Sequence, residues 1–136
     1  MSYLVDTNVI SELRKTRPSH HVMTWYDHAG DAELFFSVLT LAELRVWEHR
    51  LRLRDERAAD SLRSWLARMI EFDHRLLPVT REICELWARM NVPDRLPIID
   101  GFLAATARYH GLTVVTGNVK DFARTGVPVL DPFAPR

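Results

Sequence analysis

Four acidic residues, Asp6, Glu43, Asp100 and Asp121, stand where the sequence passes from one pattern to another. Asp6 follows the apolar run Tyr3, Leu4 and Val5 and precedes Val9, Ile10 and Leu13, which share one stripe of a helix. Glu43 falls in the first helical turn after the apolar "LFFSVL", Asp100 in the first turn of an unusually apolar helix, and Asp121 a few residues beyond "LTVV". Carboxylates gathered in one place raise each other's pKa unless something compensates. A hard divalent cation compensates, and oxygen ligands suit Mg²⁺ or Mn²⁺. Such an ion can turn bound water into hydroxide and offset charge on a phosphoryl oxygen, so the chemistry implied is metal-assisted hydrolysis of a phosphodiester.

Each acid also has a structural explanation. Asp6, Thr7 or Asn8 can cap the helix that follows. Thr40 and Glu43 match a capping box, T-x-x-E. Asp100 in a first turn complements the helix dipole, and Asp121 can be a solvated loop acid. Rival chemistries find less support. Cys84 sits beside Glu82 and Glu85, a poor setting for a thiolate. The six histidines are scattered, without an H-E-x-x-H spacing, and no Gly-rich phosphate loop is present.

The elements that would position these acids alternate along the chain. Strands are expected at 3–5, at 34–39, at 75–80 within "RLLPVT", in "LTVVTG" and in "VPVL". Helices are expected from Val9, over Val22–His28, over Leu41–Arg54 with Thr40 as N-cap, through Leu62, Trp65, Leu66, Met69 and Ile70, through Ile83, Leu86, Trp87 and Met90, and over Ile98–Tyr109. "HAGDAE" reads as a loop hinged at Gly30, and Gly111 as the residue that ends the apolar helix. Strand and helix patterns in alternation predict an α/β fold with a central, mainly parallel sheet, and the two helices around "RDERAAD" predict a protruding antiparallel hairpin. Parallel strands place the junction acids along one edge of the sheet.

The 136 residues read as a single domain, residues 1–136, and 47% hydrophobic content is enough for a core. Eighteen basic and eighteen acidic residues give no net charge, which does not favour nucleic acid as a partner, although a bound cation would bring its own positive charge. A single cysteine excludes an intrachain disulfide and fits a reducing, cytoplasmic setting. No signal segment is recognisable, and no apolar run approaches the ~18 residues that span a bilayer.

In order and spacing, "LVDTNVISELRK", "SVLTLAELRVW", "LPIIDGFLAATARYHGLTVVTGNVKDF" and "GVPVLDP" resemble the PIN-domain ribonuclease toxins of type II toxin–antitoxin systems, the VapC-like and FitB-like group. The resemblance covers nearly the whole chain. It implies a three-layer α/β/α domain whose acids hold Mg²⁺ or Mn²⁺ and hydrolyse RNA. The family's acidic set falls on Asp6, Glu43, Asp100 and Asp121, with Asp6 and Asp100 as direct ligands. Glu43 would complete the site or orient a water, and Asp121 would hold a second metal or an ordered water. Thr7, Asn8, Thr116 and Asn118 are the implied polar helpers. Many members read T-R-N where this chain has "TGN", so Gly117 leaves no positive charge there to grip RNA.

The same resemblance implies a homodimer and a cognate antitoxin whose C-terminal segment blocks the site, received in a groove expected along Trp25, Trp47 and the first helix. Arg14, Lys15, Arg45, Lys120 and Arg124 are near enough to the junctions to meet phosphates, or are solvated surface charges. Three competing functions are a phosphorelay receiver-like module, which would want an acidic pair ahead of the strand-end acid and a late lysine, a catalytically silent RNA- or partner-binding module, and a metal-dependent DNA nuclease.

Overall fold

The computed structural model describes residues 1–30, 33–71 and 73–135. Five short strands, β1 (Tyr3–Val5), β2 (Leu34–Ser37), β3 (Leu76–Leu77), β4 (Thr113–Val115) and β5 (Val129–Leu130), form one sheet in the order β3-β2-β1-β4-β5. All pairings are parallel, with Leu4 beside Phe35 on one side and Val114 on the other. Parallel neighbours require crossovers, which the helices supply. These are α1 (Thr7–Leu13), α2 (His20–Ala29), α3 (Val38–Arg52), α4 (Glu56–Glu71), α5 (Arg81–Met90), α6 (Ile98–His110) and the single turn α7 (Val119–Phe122).

Successive side chains on a strand point to opposite faces, and this divides the core in two. Val5 and Val115 face a cluster with Val9, Ile10, Val22, Trp25, Leu44, Leu62 and Leu66 from the first four helices. Their neighbours Leu4 and Val114 face Leu103, Ala104, Ala107 and Phe122 from α6 and α7. The result is the expected α/β/α layering. The hairpin of α3 and α4 contributes Leu44, Leu62 and Leu66 to the core, while Leu53 at its turn is exposed.

The chain builds outward from β1 to β2 and β3, then returns to lay β4 and β5 on the other side of β1. Strand order therefore reverses between β1 and β4. In open parallel sheets the crevice outside the carboxyl ends of the strands at such a reversal is where ligands sit.

Several local expectations are corrected. The run 34–39 is a strand only to Ser37, whose hydroxyl accepts from the Leu39 N–H at 3.0 Å and caps α3. Thr40 is thus inside the helix rather than its cap, and there is no T-x-x-E capping box. Its buried hydroxyl has no hydrogen-bond partner among the described residues. Helix α3 accordingly runs over Val38–Arg52 instead of 41–54. In "RLLPVT" only Leu76 and Leu77 pair, because Pro78 has no N–H to extend the ladder and Thr80 already caps α5. The loop expected over 28–33 includes residues 31 and 32, which lie outside the described residues, but Gly30 does end α2 with a φ of 74°.

Helix α6 fits the prediction, running from Ile98 to His110 and ending at Gly111 in the left-handed region, with a φ of 69°. It packs on α5 through the stacked rings of Trp87 and Phe102, whose centroids are 4.5 Å apart. Gly101 makes that approach possible, since a Cβ there would lie 3.0 Å from Trp87 Nε1. The close packing fixes the start of α6, and with it Asp100.

Candidate active site

The backbone N–H of Asp6 donates to Val115 O at 3.0 Å, so the residue is held where β1 and β4 end side by side. Its carboxylate accepts from three neutral donors. Oδ1 accepts from the Thr7 N–H at 2.7 Å, and Oδ2 accepts from Asn8 Nδ2 at 3.0 Å and from Thr116 Oγ1 at 2.8 Å. Asp6 does cap α1, but through the first helical N–H instead of the second or third, which an N-cap side chain ordinarily uses. Its second oxygen is committed across the sheet reversal.

Thr7 carries the network to Glu43, donating from Oγ1 to Glu43 Oε1 at 2.6 Å. With the capping box removed, this contact is what turns Glu43 toward the end of β1. Thr116 Oγ1 accepts from Asn8 Nδ2 at 3.1 Å and from the Asn118 N–H at 3.0 Å. Asn118 thus enters through its backbone. Asn8 is fixed at both ends, because its Oδ1 accepts from the Gly117 N–H at 3.0 Å.

Asp100 reaches the same place from the first turn of α6. Burial raises its pKa to about 7, and the charges of Asp6, Asp121 and Glu43, with a proton shared toward Asp121, push in the same direction. The pKa of Asp6 is raised as well, chiefly by burial and further by Glu43, against the lowering effect of the Thr116, Thr7 and Asn8 hydrogen bonds. The four predicted acids are therefore brought within each other's fields. None of them forms an ion pair among the described residues.

Glu48 shows how the same protein treats a structural acid. It is as buried as Asp6, at 3% against 5% exposure. Arg45 Nη1 lies 2.8 Å and Arg52 Nη2 3.3 Å from its oxygens, and although burial alone would raise its pKa, these partners bring it below the usual value. Buried charge is ordinarily paired in this way. Asp6 has only neutral donors and other acids around it.

Uncompensated carboxylate oxygens of this kind are the donor set of a hard divalent cation. Among the described residues, no three acidic, histidine or cysteine side chains are yet drawn close enough to enclose an ion.

Of the basic residues near the junctions, four are committed elsewhere. Lys15 pairs with Glu12 at 2.8 Å and Arg45 with Glu48, Arg124 donates to the carbonyls of Asp94 and Arg95, and Arg14 lies over the Trp65 ring, 5.5 Å from its centroid. Lys120 is exposed and forms no ion pair among the described residues.

The described cleft differs in lining from the groove expected along Trp25, Trp47 and the first helix. A cleft of about 370 Å³ is lined by Ile10, Leu13, Trp25, Trp65 and Met69 among others, so α4 supplies Trp65 where Trp47 of α3 was expected. Trp47 and Trp65 both pack against the core cluster, and Trp65 is the one that also lines the cleft. Two further residues at the acidic site were not singled out, the N–H of Gly117 as a donor and Phe133, whose ring covers Gly117. No periodicity marks either, since both act through space.

Comparison with known proteins places these features among relatives. The family described as PIN domain matches residues 3–128. The chain is 31% identical over 140 residues to VapC ribonuclease Y4jK of Sinorhizobium fredii, covering 97% of this chain and 98% of the relative. Its fold is similar to the crystal structure of FitAcB from Neisseria gonorrhoeae, with a TM-score of 0.88, 30% identity and coverage of 96% and 98%. It is also similar to a toxin–antitoxin complex from Klebsiella pneumoniae, with a TM-score of 0.69, 26% identity and coverage of 96% and 98%.

Proposed function

This chain belongs to the PIN-domain family, and on that premise we propose that it is the toxin of a type II toxin–antitoxin system, a metal-dependent endoribonuclease. The observation that carries the proposal is the convergence of Asp6, Glu43, Asp100 and Asp121 without a basic partner, in a fold that gives its structural acid Glu48 two arginines. The relatives' names, a VapC ribonuclease and a toxin–antitoxin complex, support the substrate and the biological role.

Asp6 and Asp100 would hold Mg²⁺ or Mn²⁺ directly, with Glu43 and Asp121 completing the site. When bound, the ion supplies a nucleophile from water and offsets charge on the phosphoryl oxygen. The chain's own part is positional. Thr7 holds Glu43, Asn8 and Thr116 hold Oδ2 of Asp6, and the packing of α6 on α5 delivers Asp100.

A cognate antitoxin is the proposed partner, and the cleft between α1, α2 and α4 is the proposed seat of its segment. Two buried donors without partners among the described residues, Arg14 Nε and Trp25 Nε1, belong to residues that line it. The same reading takes the working form to be a homodimer.

The test is cleavage of cellular RNA by purified, antitoxin-free protein, with Mg²⁺ or Mn²⁺ against EDTA and parent against Asp100→Asn. Discrete fragments that require both the metal and the aspartate are expected. Uncut RNA would overturn the reading, with cleavage of single-stranded DNA instead pointing to a DNA nuclease and a second blank to a silent binding module.

A further inference from the structure

Asn8 has two ends that differ by one atom, and only one orientation serves the site. With its oxygen toward Gly117 it accepts that N–H at 3.0 Å and turns its NH₂ to Asp6 Oδ2 and Thr116 Oγ1. Rotated by half a turn, the amide would set an NH₂ against the Gly117 N–H and an oxygen against the Asp6 carboxylate. The Gly117 N–H and the Asp6 carboxylate therefore favour the same orientation of Asn8, one from each end of the amide. What holds Gly117 in place is the next question, because the residue is exposed and has no side chain of its own to anchor it.

Strand β5 supplies the answer. It pairs Leu130 with Val115, and three residues later the chain places Phe133 over Gly117. Asp131 Oδ1 accepts from the Phe133 N–H at 2.9 Å, a local turn that aims the side chain back toward the sheet. The ring packs against the core cluster that contains Val5, Val9 and Val115. A Cβ on Gly117 would lie 3.0 Å from Phe133 Cε2 and 3.1 Å from Cδ2, so the ring occupies the space in which any larger residue at 117 would begin.

We propose that Phe133 is a positioning residue for Asp6, pressing on the Gly117 backbone so that its N–H holds the Asn8 amide in the orientation that serves the carboxylate. The glycine at 117 and the phenylalanine at 133 are then one device, and neither can be exchanged without the other. This role rests on the reading of Asp6 as a metal ligand.

The test begins on the protein alone, without RNA or metal. In Phe133→Ala the Gly117 N–H is expected to exchange with solvent at least tenfold faster, and the side-chain amide resonances of Asn8 to move, in nitrogen-15 spectra of the folded protein. Gly117→Ala should perturb the same signals. The double variant Gly117→Ala/Phe133→Val removes the ring atoms that the added methyl would meet, and is expected to recover most of the parent's Asn8 signal. Mn²⁺ titration should show at least fivefold weaker binding in Phe133→Ala and recovery in the double variant. Unchanged amide signals in Phe133→Ala, a double variant no better than the worse single one, or parental Mn²⁺ affinity in Phe133→Ala would each overturn the role. A parent that takes up no Mn²⁺ would instead sink the metal-ligand reading, on which this one depends.

Discussion

A carboxylic acid whose pKa is about 7 in the folded chain and 3.8 when unperturbed binds a proton more tightly when folded. For Asp100 the sign follows from linkage. The stabilising contribution is complete below pH ~4 and is lost as the pH rises through about 7, because ionising Asp100 beside Asp6, Asp121 and Glu43 is unfavourable. In EDTA, the melting temperature of the parent is therefore expected to fall across that interval relative to Asp100→Asn, and added Mn²⁺ to reverse the fall. Parallel melting curves for the two proteins between pH 4 and 7 would show that Asp100 is not crowded by its neighbours. The acids themselves were legible in the sequence, because Asp6, Glu43 and Asp100 stand in apolar stretches at the start of a helix and Asp121 follows the apolar "LTVV" by a few residues. Gly117 and Phe133 were not legible, since a backbone donor and a covering ring have no signature in the sequence pattern.

At the scale of elements, Ser37 and Thr40 make opposite predictions. Ser37 caps α3, so Ser37→Ala should cost about 1 kcal/mol of unfolding free energy in a urea titration. Thr40→Val exchanges a buried hydroxyl without a partner for a methyl of similar shape and should leave stability unchanged or higher. A large loss in Thr40→Val with none in Ser37→Ala would return the cap to Thr40. The misreading has a physical cause. In "LFFSVL" the apolar residues continue through the boundary, since the end of β2 and the start of α3 are both covered by the fold, and a short apolar run does not distinguish strand from helix. Where turn chemistry is explicit, at Gly30, Gly111 and Pro78, the boundaries agree or the deviation is explained.

For the whole molecule, α1 joins the two surfaces that matter. Asp6 stands at its start, while Ile10, Leu13 and Arg14 along it line the cleft. A segment seated in the cleft is thus one short helix away from the acids. Met69→Asp, on the far wall of the cleft, is expected to weaken antitoxin binding at least tenfold in a titration while metal-dependent RNA cleavage is retained. Equal loss of both would mean that the variant disturbs the fold, and parental antitoxin affinity would place the partner elsewhere. The α/β class and the layering were legible from alternation alone, whereas the strand order was not, because periodicity does not say which strands lie side by side.

The reversal between β1 and β4 has a consequence for how the protein is made. Asp6 and Thr116, whose side chains share a hydrogen bond, are separated by 110 positions. Chains emerge from the ribosome in order and fold as their segments become available. The hydrogen-bond set around Asp6 is therefore completed late, only once β4 has left the ribosome and paired with β1.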